Sequence, residues 1–435
     1  MRLIRLLKKD IAREAADWVS NDIITTVQAE KICEQYDVDF HEAQNRSLGY
    51  KVLVGLGYLF IGLAVITLLG ANWDDIPRAL RMWGLIGTTM LIQGFALWKY
   101  ASGAVNSAVG IFFLGNLFYG ASIVLIAQIY HLGEHMPDGI FWWALGCFPI
   151  GILINSPLIT LQSLMLALIW FFVEVDMGFY PAMFPLFLAG TLVVLFRGKP
   201  SIVLFLTLIA SMGLWIEYTL AHLWGGPRHF TFQAEHVSVS VALLIFSYSV
   251  SLWLSQRESG IAKDYGVVLA VWSLRFGLLF MLVMSFEEPW RELLKADWSE
   301  RILMFGIIAV LSIGSFVLAF LGKKLIPMVF VIPFFIAVQI AVLILENSVH
   351  ALLFQIVSNI VLVATGVWLI IRGIQSGISH YFFLGVAAVL VTALLRYFDL
   401  IGDYFGGAVL FMVFAMLLLG AARYWKSFNA SRGFL

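Results

Sequence analysis

The sequence predicts an all-α polytopic membrane protein with about fourteen transmembrane helices and both termini in the cytoplasm. Of its 435 residues, 61% are hydrophobic and 12% are charged, whereas soluble chains carry about 25% charged residues. Long apolar runs alternate with short polar breaks, and an apolar surface of this extent has to face lipid. The formal net charge of zero gives no indication of nucleic-acid binding.

The apolar runs predict fourteen spans, although several are close to the minimum of about 17 residues for a transmembrane helix. We predict the spans at 52–70, 80–98, 105–129, 139–154, 158–173, 181–196, 201–220, 236–254, 265–285, 303–321, 325–345, 350–371, 380–397 and 407–424. The turn at Asn155-Ser156-Pro157 leaves an alternative open. If its two arms form one re-entrant unit, the count falls to twelve.

The placement of Lys and Arg predicts the orientation. With the N-terminus inside, 19 of the 27 basic residues lie in inside breaks and tails, and six lie outside. This asymmetry favours an N-in and C-in topology under the positive-inside rule. Seven spans in each half would also permit an inverted repeat, as in many transporters.

The chain has one sizeable polar segment, residues 1–50, before the predicted transmembrane domain at 51–424 and a cytoplasmic tail at 425–435. Apolar side chains recur at helical spacing in residues 1–18, opposite a basic face, which is typical of a helix on an anionic membrane surface. The alternative is an amphipathic helix packed on its neighbour, Thr25 to Tyr36. A second amphipathic stretch, 287–301, predicts a short interfacial helix.

Arg275 lies near the centre of its predicted span. An arginine there costs about 2.5–3.5 kcal/mol on insertion scales, so its side chain should face protein or water. One hypothesis is a binding site for an anionic group. The other is a structural ion pair or hydrogen bonds to backbone carbonyls.

Two other charged groups lie at predicted outer span ends. Arg396 and Asp399 are three residues apart and share a helix face, and Asp403 follows. They predict either a local ion pair at a helix end or a functional site. Asn72, Asp74 and Asp75 close the first span. They predict either a cap, formed by Asn72 or Asp74, on a helix that begins near Pro77, or a cation or proton site at the outer surface.

His131, Glu134 and His135 match the H-x-x-E-H spelling of an inverted zinc protease motif. Gly133 and the Met-Pro pair after His135 instead predict a helix end, so we expect no metal site here. Intramembrane amides are predicted to join helices by hydrogen bonds. They are Gln93, Asn106, Asn116, Gln162, Gln339, Gln355 and Asn359.

Two stretches carry a family resemblance: GANWDDIP at 70–77, and QIYHLG at 128–133 followed by WWAL at 142–145. Together with the N-terminal helical hairpin, they resemble bacterial predicted membrane proteins with domain of unknown function 2157, from residue 14 to about 160. RYFDL at 396–400, followed by Gly402-Asp403, is similar to the end of such proteins. The resemblance adds Gln128, Tyr130 and His131 to the candidate binding residues. It implies a bacterial inner-membrane location and no mechanism, because the family has no assigned activity.

The leading functional hypothesis is a transporter or lipid-flipping protein for an anionic solute or lipid, with membrane lipids as its surroundings and no cofactor. The second hypothesis is a membrane-embedded enzyme acting on a lipid or envelope intermediate at the outer face. Its candidate residues are Asp74, Asp75, His131, Glu134, Asp399 and Asp403. The third is a non-catalytic assembly or sensing partner that docks another protein through residues 1–50.

Overall fold

The computed structural model describes most of the chain between residues 76 and 400. The described residues are 14–16, 18–35, 40, 53–54, 56–57, 60–61, 63–64, 67, 76–132, 135–225, 230–298, 301–345, 347–400, 412, 415–416, 419–420 and 423. The chain divides into two compact units, residues 1–230 and 231–435. This boundary falls in the polar break between the seventh and eighth predicted spans.

The first unit contains seven continuous described helices. They are α1 (Thr26–Glu34), α2 (Arg78–Ala101), α3 (Val105–Tyr130), α4 (Pro137–Leu153), α5 (Pro157–Asp176), α6 (Phe184–Arg197) and α7 (Ile202–Gly225). Proline occupies one of the first two positions of α4, α5 and α6. Its fixed φ suits a helix start, and its missing N–H would have no helical partner there.

The described part of the second unit contains seven further continuous α-helices. They are α8 (His236–Leu254), α9 (Gly260–Val283), α10 (Glu287–Lys295), α11 (Ile302–Leu321), α12 (Leu325–Ile344), α13 (Ala351–Ser376) and α14 (Ser379–Leu400). A short 3-10 turn, Ser348–His350, precedes α13. Ser259 caps α9 by accepting a hydrogen bond from the backbone N–H of Ala262.

Nine helices in the described part of the chain are long and apolar enough to cross a membrane. The helices α4 and α6 are apolar but shorter. Each predicted span from 80–98 to 380–397 coincides with a described helix. The first and last predicted spans, 52–70 and 407–424, lie mostly outside the described residues, so the count and orientation stay predictions. The multi-pass helical architecture is confirmed.

The turn at Asn155-Ser156-Pro157 joins two separate helices, α4 and α5. Asn155 adopts a left-handed conformation with φ 47°, which asparagine tolerates better than most residues. The Ser163 hydroxyl on α5 donates to the Ala144 carbonyl on α4 at 2.9 Å. The two helices therefore pack as an antiparallel hairpin.

The core of the first unit is aromatic. Phe171, Phe184 and Phe187 are fully buried, and the rings of Phe171 and Phe184 lie 4.7 Å apart. Aromatic pairs at this separation add to the apolar area that each ring buries. This cluster joins α5 and α6.

In the second unit, α8 and α11 pack side by side in parallel. Glu235, just before α8, bonds to Arg301, just before α11. At the other end, a Cβ on Gly322 would lie 2.9 Å from the backbone of Leu252. The two helices therefore start together at one end of the unit and end together at the other.

The predicted amphipathic helix in 287–301 is present as α10. Trp290, Leu293 and Leu294 are buried, and the Trp290 ring stacks 4.9 Å from Phe354 on α13. Its polar face carries Arg291, which bonds to Glu287 at 2.8 Å, and this bond raises the pKa of the guanidinium. The apolar side of α10, formed by Trp290, Leu293 and Leu294, thus covers one end of the second unit. We call this end the α10 end.

The N-terminal segment has a small core of its own, formed by Ala15, Ala29, Cys33 and Phe40. A capping box between Thr25 and Gln28 fixes the start of α1. This core favours the interpretation that residues 14–20 pack on the neighbouring helix. Residues 1–13, which carry most of the amphipathic pattern, lie outside the described residues. The predicted domain boundaries therefore stay predictions.

Candidate functional site

Arg275 lies two thirds of the way along α9 and its side chain is exposed. Its guanidinium lies 5.2 Å from the centroid of the Trp272 ring. Trp272 stacks in turn with Phe276, with 5.7 Å between ring centroids. Among the described residues, no carboxylate lies within ion-pair distance of Arg275. The structural ion pair proposed from sequence is therefore not seen in the described part of the chain.

Two other arginines stack on tryptophan in the same way but lie near helix ends. Arg257 lies 4.1 Å from the Trp253 ring centroid, just after α8. Arg372 lies 6.0 Å from the Trp368 ring centroid, in the last turn and a half of α13. Side chains near a helix end reach water by snorkelling. Arg275 differs because about 12 Å of helix separates it from the nearer end of α9.

Arg396 lies near the C-terminal end of α14 and is half-buried. Its guanidinium lies 4.5 Å from the ring centroid of Phe286, the residue immediately before α10. The backbone of α14 continues past Asp399 to Leu400, but the side chain of Asp399 and all of Asp403 lie outside the described residues. The predicted Arg396–Asp399 pair stays a prediction. Arg275 and Arg396 therefore stack on different rings, Trp272 and Phe286, which lie at different heights along the helices of the second unit.

Gln128, Tyr130 and His131 lie at the end of α3, in the first unit, and all three are exposed. His131 is the C-cap and adopts a left-handed conformation with φ 51° and ψ 39°. The prediction that the H-x-x-E-H stretch contains a helix end is confirmed. Glu134 itself lies outside the described residues.

His135 has a partner that the sequence did not indicate. Its Nε2 lies 3.0 Å from Oε2 of Glu174, near the end of α5, and its ring contacts Phe179 edge-on at 4.7 Å. Within the described residues, no group of three His, Cys, Asp or Glu side chains is arranged to hold a metal ion.

Asn72, Asp74 and Asp75 lie outside the described residues, so an outer cation or proton site there stays a prediction. The helix that follows them, α2, begins at Arg78 with Pro77 as its N-cap residue and no side-chain cap. Because Asn72 and Asp74 lie outside the described residues, a helix cap formed by either of them also stays a prediction. Pro77 is extended (ψ 138°) directly before the helix starts.

The α10 end of the second unit contains a buried ion pair that was not predicted from the sequence. Glu235 is 1% exposed and accepts from Nε of Arg301 at 3.2 Å. Arg301 also donates to the side-chain oxygen of Gln233. Nearby, the Ser238 hydroxyl donates to Oε1 of Gln339 at 2.9 Å, which joins α8 to α12. A sequence signal was present, because opposite charges stand immediately before two apolar runs that start on the same predicted side.

Three of the four first-unit amides predicted to join helices do so, whereas Asn106 is exposed. Nε2 of Gln93 donates to Asn116 at 2.9 Å, and Nδ2 of Asn116 donates to Gln162 at 3.0 Å. Gln162 donates onward to the carbonyl of Phe113, and the Trp143 indole donates to the Asn116 carbonyl at 2.7 Å. This network, the amide network, connects α2, α3, α4 and α5.

The helices described above define a multi-pass α-helical membrane protein. Residues 16–160 match the family described as predicted membrane protein DUF2157. This match covers a third of the chain and confirms the resemblance stated from its motifs. No match was found among curated proteins or among solved structures.

Proposed function

We propose that this protein moves an anionic solute or an anionic lipid across the membrane, as a transporter or as a lipid-flipping protein. The observation that carries the proposal is the position of Arg275, exposed and far from either end of a 24-residue apolar helix. Intramembrane charges of this kind commonly mark substrate pathways.

The charge of Arg275 requires compensation. Guanidinium stays protonated at any accessible pH, so it cannot lose its charge to escape desolvation. Its contact with Trp272 supplies about 0.5–2 kcal/mol, against a cost of about 2.5–3.5 kcal/mol for a central arginine. The described carboxylates do not supply the remainder. An anionic group that binds during transport would compensate the rest of this cost, and water would do so when no anion is bound.

The planar guanidinium suits phosphate and carboxylate groups because its fork donates two parallel hydrogen bonds. The guanidinium lies 5.2 Å from the centroid of the Trp272 ring, and no described carboxylate pairs with it. The substrate class that fits is therefore an organic anion or an anionic lipid headgroup.

The test uses the full-length protein in phosphatidylcholine vesicles. One arm measures dithionite quenching of fluorescent phosphatidylglycerol against fluorescent phosphatidylcholine, and the other measures uptake of radiolabelled phosphate and small carboxylates. We expect wild type to move at least one anion, and Arg275→Gln to lower that rate at least tenfold with an unchanged melting temperature. Arg275→Lys should restore little, because an ammonium lacks the planar fork.

Arg257→Gln is the matched control, since Arg257 also stacks on a tryptophan but lies at a helix end. It should leave the rate unchanged. The proposal would be overturned if Arg275→Gln lowered the melting temperature and neutralising an acidic residue on a facing helix restored it. That outcome would identify an ion pair. Wild-type vesicles that moved none of these anions would also contradict the proposal.

A further inference from the structure

Arg275 on α9 and Arg372 on α13 lie at nearly the same height along the second unit. Nδ2 of Asn359 on α13 donates to the carbonyl of Ser285, just after α9, at 2.9 Å, and both helices extend from this contact away from the α10 end. About 15 Å of chain separates Arg275 from Ser285, and about 20 Å separates Arg372 from Asn359. The two side chains therefore leave their helices within roughly 5 Å of one another in height.

Both arginines also flank the same packed contact. Leu278 on α9 and Leu369 on α13 are buried in one cluster with side chains of α14. Arg275 lies three residues before Leu278, and Arg372 lies three residues after Leu369. Residues three apart in a helix are neighbours on its surface. Each arginine therefore lies beside the leucine that packs its own helix into this cluster.

The start of α14 is the point that both guanidinium groups approach. Arg275 interacts electrostatically with the ring of His380, and Arg372 does so with the hydroxyl of the next residue, Tyr381. Gly373, which follows Arg372, brings α13 so close to α14 that an added Cβ would lie 2.5 Å from its backbone. Two positive charges from two different helices thus face two consecutive residues of a third.

These two charges require a counter-ion. Like charges repel, and they do so more strongly beside an apolar helix surface than in water. Both side chains are exposed, and they stack on Trp272 and Trp368. Within the part of the chain that the structure describes, no carboxylate pairs with either arginine. An anion with two negative charges would neutralise both, since guanidinium groups bind phosphate oxygens through paired hydrogen bonds.

We propose that Arg275 and Arg372 together bind a phosphomonoester dianion, which belongs either to a lipid headgroup, as in phosphatidic acid, or to a soluble phosphomonoester. This inference rests on the proposed function and narrows its substrate class from anions in general to dianions. A phosphomonoester carries close to two negative charges at pH 8, because its second proton is lost at about pH 6. A phosphodiester carries only one charge and matches only one of the two arginines.

The binding test uses the full-length protein in dodecyl maltoside at pH 8. The ligands are short-chain phosphatidic acid, glycerol phosphate, and short-chain phosphatidylglycerol as the phosphodiester. The readout is the ligand concentration that half-saturates the rise in melting temperature. We expect at least one phosphomonoester to bind at least tenfold more tightly than phosphatidylglycerol. Tight binding of phosphatidic acid alone identifies a lipid headgroup, and tight binding of glycerol phosphate identifies a soluble ester.

Arg372→Gln should weaken phosphomonoester binding at least tenfold and change phosphatidylglycerol binding less than twofold, because Arg275 alone matches a single charge. Arg257→Gln is the matched control, since it also removes an arginine from a tryptophan ring, and it should keep the preference for phosphomonoesters. Without ligand, Arg372→Gln should melt no lower than Arg257→Gln, because only the change at Arg372 also relieves repulsion.

The outcomes separate this inference from the proposed function. If Arg275→Gln slows anion movement but Arg372→Gln leaves phosphomonoester binding unchanged, Arg275 acts alone, and only the two-arginine site is overturned. If phosphomonoesters bind as expected but no anion crosses the vesicle membrane, the proposed function is overturned and the binding site stands. Equal affinity of wild type for phosphatidylglycerol and both phosphomonoesters would overturn the two-arginine site, as would the absence of any anion binding.

Discussion

Asn116 is the centre of the amide network and is 1% exposed. Its side chain accepts from Gln93 and donates to Gln162, so each of its polar atoms contacts a different helix. In an apolar medium an unpaired amide has no water to replace its partner. A single residue of this kind therefore sets how α2, α3 and α5 align.

We expect Asn116→Leu to destabilise the protein by about 1–3 kcal/mol, because hydrogen bonds between transmembrane helices contribute about 0.6–1.7 kcal/mol each and two are lost. Thermal unfolding in detergent measures the effect. Asn106→Leu is the control, since Asn106 lies on the same helix but is exposed, and it should change stability little. Equal melting temperatures for the two variants would show that the amide network contributes nothing measurable.

At the scale of helices, close backbone approach determines which pairs form. Gly373 on α13 faces Phe382 on α14, and a Cβ added to Gly373 would lie 2.5 Å from the backbone nitrogen of Phe382. Small residues at such points let two helices approach closely, which is a main source of attraction between helices in lipid. Gly373 thus fixes the α13–α14 hairpin that carries Arg396.

We predict that Gly373→Ala separates these two helices and lowers the melting temperature by several degrees. The clash is with backbone, which cannot rotate away as a flexible side chain can. Gly277→Ala on α9 is the matched control, because a Cβ there would meet nothing within 4 Å. That control should be neutral or slightly stabilising, since alanine favours helix by about 1 kcal/mol over glycine. A melting temperature for Gly373→Ala equal to that of Gly277→Ala would contradict this packing.

At the scale of the whole molecule, the N-in and C-in topology with fourteen spans is a prediction that follows from the Lys and Arg distribution. Reporter fusions at Lys199, Gly260 and Gly322 should report cytoplasm. Fusions at Gly133 and at two further positions, Gly226 and Lys295, should report the outside. Reversed signals at Gly133 and Gly226 would exclude this topology.

The candidate site was predictable only in part, and Arg275 and Glu235 show why. Arg275 stood out because a lone charge in an apolar run is unusual whatever surrounds it. Glu235 did not stand out, because a carboxylate in a polar break is ordinarily solvated. Its burial arises from the parallel packing of α8 against α11, which joins residues 66 apart in the chain.

The sequence by itself determined the multi-pass helical class, the position of most helices and the amphipathic character of α10. These properties depend on local hydrophobicity, since a backbone in lipid must satisfy its own hydrogen bonds and each apolar run does so as a helix. The tertiary structure alone decided which polar side chains meet: Gln93 with Asn116, His135 with Glu174, and Glu235 with Arg301. Hydrophobicity cannot specify these pairs, because any face of an apolar helix can lie against lipid. The choice of partner depends instead on shape and hydrogen bonding between helices.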